Sequence, residues 1–121
     1  MKIYTSYFEN IPNIPSSLTI VAICYEAPEN YNGKEFKLLA PSHDILHEYH
    51  HNGMDEERYT RRFYHEILSK LNAQEIYLKL KEYVEDQDCV LLCYEKREEF
   101  CHRHLVADWL MKELNIEIKE L

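Results

Sequence analysis

The sequence predicts an α/β fold. It is a three-layer sandwich in which helices cover both faces of a mostly parallel β-sheet, as a single domain over residues 1–121. Two runs, "LTIVAICY" (18–25) and "CVLLCYE" (89–95), are nearly continuous apolar sequence. That is the pattern of strands buried on both faces. Helical periodicity fills the space between them, and a helix and a short strand follow the second run, which together imply strands joined by helical crossovers.

Taken in order, "KIYTSYF" (2–8) alternates β-branched and aromatic residues and reads as a strand. "ENIPNIPSS" (9–17) holds two prolines and is a connection. After the second strand, "APENYNGKEF" (27–36) reads as a loop broken at Pro28 and Gly33. Pro41 and Ser42 start a helix carrying Ile45, Leu46 and Tyr49, and "NGM" (52–54) ends it. From Asp55 to Leu71 the set Tyr59, Phe63, Tyr64, Ile67, Leu68 and Leu71 keeps helical spacing. A third helix, about 73 to 84, presents Ile76, Tyr77, Leu80, Tyr83 and Val84. Beyond the 89–95 strand, "CHRHLVADWLMKEL" (101–114) is amphipathic, and "IEIKEL" (116–121) closes with strand alternation.

Composition removes several classes of function. A net charge of −8 disfavours binding to duplex nucleic acid, which relies on clustered Lys and Arg, and leaves an anionic small molecule or a nucleotide as a partner held by one local cation. No apolar run approaches the roughly 18 residues of a membrane span, and no secretory leader pattern opens the chain. With four cysteines (Cys24, Cys89, Cys93, Cys101) placed in or beside core strands, reduced thiols in a cytoplasmic protein are the simpler reading. Ten tyrosines supply ligand walls or a surface for self-association.

In parallel sheets ligands bind beyond the carboxyl ends of the strands. Those ends carry Thr5–Ser6–Tyr7, Cys24–Tyr25–Glu26 and Cys93–Tyr94–Glu95, the last leading to Cys101 at a helix start. A helix N-terminus stabilises a thiolate, so Cys101 is the candidate nucleophile, with His102 or His104 as base. Glu95 is the candidate acid/base, and Arg103 the anion holder, with Thr5, Ser6 and Tyr7 adding polar contacts. The competing reading makes "CHR" a structural latch, Arg103 pairing with Glu95, in a non-catalytic interaction protein.

Familiar thiol chemistries do not fit. A phosphatase loop needs Arg six residues beyond its Cys, where this chain has Glu99 or Ala107. There is no C-x-x-C pair, and Cys89 and Cys93 would lie about 13 Å apart along a strand. No Gly-rich phosphate loop occurs. Cys93 reads as strand core. Cys93, Cys101, His102 and His104 offer zinc donors, but adjacent residues seldom face one ion and paired short spacings are missing. His43 and His50 are separated by about 10.5 Å of helix rise, so with His47 they form a solvated face. No metal and no cofactor is therefore expected, zinc binding standing as a third option.

"LLCYEKREEFCHRHLVADWL" resembles the family catalogued as domain of unknown function 488, in which an LLC-x-E strand end precedes CHR and an amphipathic helix. "KIYTSYF", "NGKEFKLLAPS" (32–42) and "YTRRFY" (59–64) occur in the order this resemblance implies. One departure is Tyr25, near where relatives often carry an Arg. The expected function is a small enzyme or ligand-binding domain with a Cys/His/Arg/Glu cleft, acting on an anionic metabolite, nucleotide or nucleic-acid component.

Overall fold

A computed structural model describes residues 1–121. Five strands form one sheet: β1 (Ile3–Tyr7), β2 (Thr19–Ala22), β3 (Lys34–Glu35), β4 (Cys89–Cys93) and β5 (Ile118–Glu120). Their order is β3-β2-β4-β1-β5, and every pairing is parallel. The helices are α1 (His43–His51), α2 (Glu56–Glu66), α3 (Ala73–Tyr83) and α4 (His102–Leu114). The α/β sandwich expected from the sequence is present, with an all-parallel sheet.

Register decides what each face carries. Thr5, Leu91 and Val21 lie side by side across β1, β4 and β2. Side chains alternate along a strand, so Ile3, Val21, Cys89 and Leu91 share one face. They join a core with Ile45 of α1, Phe63 of α2, Ile76 and Leu80 of α3, and Val106 and Leu110 of α4. The opposite face carries Val90 and Leu92, both fully buried. Its cover is slighter: Phe8, opening a 3-10 helix (Phe8–Asn13), and Tyr31 from the 27–32 loop meet edge-on at 5.3 Å and pack against the small cluster that includes Ala22. The α-helices thus occupy one layer, and the other is a 3-10 turn with loop.

Local signals place the helix starts. Side-chain oxygens of Ser42, Asp55 and Asn72 accept from the backbone N–H three residues on, opening α1, α2 and α3. The fourth helix is capped by sulfur: Cys101 Sγ accepts from the N–H of Arg103 at 3.5 Å. The α2 helix stops at Glu66, short of the Leu71 that the periodicity suggested. Ser69 Oγ donates back to the His65 carbonyl, and a 3-10 turn (Leu68–Lys70) reverses the chain into the Asn72 cap.

The short β3 lies inside the stretch read as a loop. Its two residues pair with Val21 and Ala22, and Phe36 N–H extends the ladder to the Ala22 carbonyl. Gly33 permits this approach: a Cβ there would meet Tyr31 Oη at 2.2 Å and Ile20 Cγ1 at 2.7 Å. No helix is long and apolar enough to cross a membrane.

Topology fixes one special place. From β2 the chain moves outward to β3, whereas from β4 it moves the other way to β5, although β2 and β4 are neighbours. Connections leaving adjacent strands in opposite directions open a crevice at their carboxyl ends.

Candidate functional site at the switch point

The crevice is a cleft of about 220 Å³. Its floor is the segment after β2 (Cys24–Glu26), the end of β4 (Cys93–Glu95) and the start of α4 (Cys101, His102). Its walls come from Leu46, Tyr49 and His50 of α1, Tyr59 of α2, and Phe100. Tyr49, Tyr59 and Phe100 pack edge-on or tilted, with ring centroids 5.1–5.9 Å apart. Tyr94 donates its hydroxyl to the Glu26 carbonyl at 2.6 Å, tying the two strand ends together.

His102 organises the floor. Its Nε2 lies 2.7 Å from the carbonyl oxygen of Ile23, which can only accept, so Nε2 carries the hydrogen. Nδ1 then faces two sulfurs, Cys93 Sγ at 3.3 Å and Cys101 Sγ at 3.9 Å, as a donor when it carries a proton and as a ligand atom when it does not. Cys93, Cys101 and His102 are all buried, and their donor atoms lie within 4.8 Å of one another. Two thiolates and an imidazole are the donor set that a zinc-type ion takes.

The environment sorts the thiols. Burial pushes Cys24 up to about 11 and Cys89 up to about 12. Burial, together with the neighbouring Cys101 sulfur, also holds Cys93 well above the ordinary thiol value. At Cys101 burial acts the same way, but the Cys93 thiol, His102 and the Arg103 N–H outweigh it and bring this thiol below the ordinary range. A negative charge shared by the two sulfurs therefore resides on Cys101, at the helix N-terminus. Burial, reinforced by that charge, raises the Glu95 carboxyl to about 7.

Cys101, His102 and Glu95 thus share the cleft. The other expected site residues lie outside it. Arg103 is fully buried and faces away: Nε and Nη2 bond the two carboxylate oxygens of Glu120 at 3.2 and 2.8 Å, and Nη1 donates to the Glu95 carbonyl at 2.6 Å. Thr5 Oγ1 donates to Glu120 Oε1 at 2.5 Å, and the Tyr7 ring centroid lies 5.9 Å from the guanidinium carbon. Ser6 Oγ donates to the Leu121 carbonyl and accepts from Asn10. The ion pair envisaged between Arg103 and Glu95 does not form: Arg103 pairs with the Glu120 carboxylate and reaches Glu95 only at its backbone carbonyl. His104 is absent from the cleft, its buried Nε2 without a partner.

Other groups are redistributed as well. Cys93, read as strand core, is in contact with His102. His50 leaves the row of surface histidines to line the cleft, while His43 stacks on His47 and His51 lies tilted against His47. Arg62 is held by Glu48 and Glu66. Which tyrosines form the walls is not legible in the sequence, because Tyr49 and Tyr59 sit at ordinary core-facing helical positions and only the packing of α1 on α2 brings them to the strand ends.

Fold and floor together define a small parallel α/β domain with a thiol–imidazole centre at its switch point. The family model described as the active DUF488-N3 subclade, DUF488-N3a, matches residues 15–114, and the chain belongs to the DUF488 family. No match was found among curated proteins or among solved structures.

Proposed function

We propose that the cleft is the active site of a thiol-dependent enzyme acting on a small, flat, ring-bearing substrate, such as the base moiety of a nucleoside or nucleotide. One observation carries this reading. The Cys101 sulfur caps α4, accepts the Arg103 N–H and opens onto an aromatic cleft that also holds the Glu95 carboxyl. A nucleophile needs a stabilised thiolate, a proton donor within the same site and a wall to orient its substrate.

The walls argue for the substrate class. No Lys or Arg lines the cleft, and its ionisable groups besides the thiols and tyrosines are Glu26, Glu95, His50 and His102, beside the rings of four tyrosines and Phe100. Such walls favour stacking on an uncharged ring over capture of a phosphate. The volume of about 220 Å³ is below the roughly 300–1,000 Å³ of drug-sized sites.

In the proposed step the Cys101 thiolate attacks an electrophilic carbon, forming an S–C bond. The bond to the leaving group breaks, its electron pair departs with that group, and Glu95 supplies the proton. Water then attacks the same carbon, Glu95 takes back a proton, and the thiolate leaves. The outcome is hydrolysis, with the enzyme restored.

Thermal shift and intact mass, measured with nucleobases, nucleosides, sugar phosphates and inorganic phosphate, test the reading. Nucleobases or nucleosides should stabilise the protein, and a covalent adduct should appear on wild type but not on Cys101→Ser. Stabilisation by phosphate compounds alone, or equal turnover by Cys101→Ser, would sink it.

A further inference from the structure

We infer that Cys93, Cys101 and His102 close on a single Zn²⁺ ion, leaving its fourth position open to the cleft. The same geometry makes the ion a reversible mask for the nucleophile; that second part rests on the function proposed above, whereas the site itself does not.

Distances carry the inference. With Zn–S near 2.3 Å and Zn–N near 2.0–2.1 Å, tetrahedral angles place sulfur and nitrogen about 3.6 Å apart. The two observed separations, 3.3 Å from Cys93 and 3.9 Å from Cys101, bracket that value on the same Nδ1 atom. Adjacent residues seldom converge on one ion, but here the backbone turns between them. Cys101 is extended (φ −155°, ψ 143°), whereas His102 is the first residue of α4, so both side chains swing to one point.

Three further features fit. The hydrogen bond from His102 Nε2 to the Ile23 carbonyl is the outer-shell contact that fixes the tautomer of a ligating imidazole and aims its other nitrogen. Two thiolates and a divalent ion sum to zero charge, so the complex is tolerated in a buried place where a lone cation is not. Soft sulfur donors also select zinc over magnesium or calcium. All three residues line the cleft, which leaves one coordination position facing its mouth. An ion bound there engages the Cys101 lone pair and removes it from attack.

Cobalt is the probe, because thiolate ligation gives it a near-ultraviolet charge-transfer band and tetrahedral geometry gives it strong visible bands. Reduced, chelator-treated protein is titrated with Co²⁺ and then Zn²⁺, and iodoacetamide labelling of Cys101 is followed by mass spectrometry. One equivalent of Co²⁺ should produce both bands, and Zn²⁺ should abolish them. One equivalent of Zn²⁺ should also slow Cys101 labelling at least tenfold, with chelator restoring the rate. Cys93→Ser and His102→Asn should lose bands and protection, while Cys89→Ala keeps both. Intact wild type remains decisive should those variants fail to fold. Absence of the charge-transfer band from wild type overturns the site, even if Cys101 still alkylates. Bands that survive Cys93→Ser undiminished overturn it too, by placing the metal on other thiolates, and visible bands without the charge-transfer band would place it on histidines such as His47 and His51. If cobalt binds as expected and Cys101 in metal-free protein is inert, the site stands and the nucleophile reading fails.

Discussion

Arg103 and Glu120 form a two-pronged ion pair with the guanidinium fully buried, 17 residues apart in sequence and joined only because β5 lies parallel to β1. Thr5, on β1 between them, completes the carboxylate's bonds. The arrangement ties the first turn of α4 to the last strand, and so holds Cys101 at the cleft floor.

Breaking that pair from one side leaves a charge without its partner. Arg103→Met is therefore expected to lose about 3–5 kcal/mol of stability, and Arg103→Met with Glu120→Leu to lose less than the two single changes together. A urea double-mutant cycle measures the coupling. Additive losses would show that the two residues act independently.

Cys101 has two separable duties, capping α4 and presenting a sulfur. Serine caps a helix at least as well and neither replacement carries the thiolate, so Cys101→Ser should be more stable than Cys101→Ala by about 0.5–2 kcal/mol. Both should abolish selective iodoacetamide labelling. Denaturant titrations of the pair read the cap, and peptide mapping reads the sulfur; equal stabilities for Ser and Ala would remove the cap from the account.

The contrast between α4 and its partner shows what a sequence discloses. "CVLLCYE" and the CHR turn placed a strand end, a helix start and a thiol together from adjacent residues, because buried strands and helix caps are local signals. The pairing of Arg103 with Glu120 is not local; it depends on which strands become neighbours, and Glu95 was the nearer carboxylate in the chain. For the same reason β3 leaves no signal in the sequence, since Lys34 and Glu35 carry no apolar alternation and become a strand only by docking beside β2. The contact of Cys93 with His102 is equally hidden, because an apolar run does not show which of its members faces α4.

Ionisation of Cys101 at the helix N-terminus governs its reactivity. An ordinary thiol alkylates about tenfold faster per pH unit while below its pKa of roughly 8.5. Cys101 sits below that range, because Cys93, His102 and the Arg103 N–H overcome its burial. Its labelling rate in chelator-treated protein should thus stay nearly level from about pH 6 to pH 8. Cys24 and Cys89, pushed up by burial, should label slowly throughout. A tenfold rise per unit at Cys101 across this window would show that no thiolate is stabilised there.

Glu95 couples the cleft to stability in the opposite sense from a salt-bridged carboxylate. Burial, with the Cys101 charge beside it, raises its folded value to about 7 from the ordinary 4.5. Between those limits the folded state holds a proton that the unfolded chain has already released. Stability contributed by this group is therefore full below about pH 4.5 and is lost as pH rises towards 7. Glu95→Gln removes the titration and keeps the shape of the protonated acid. The stability of Glu95→Gln relative to wild type, from urea unfolding of metal-free protein, should grow steadily between these pH values and level off above them. A difference that stays constant with pH would mean that Glu95 titrates as an ordinary surface carboxyl, and would take from it the role of proton donor near neutrality.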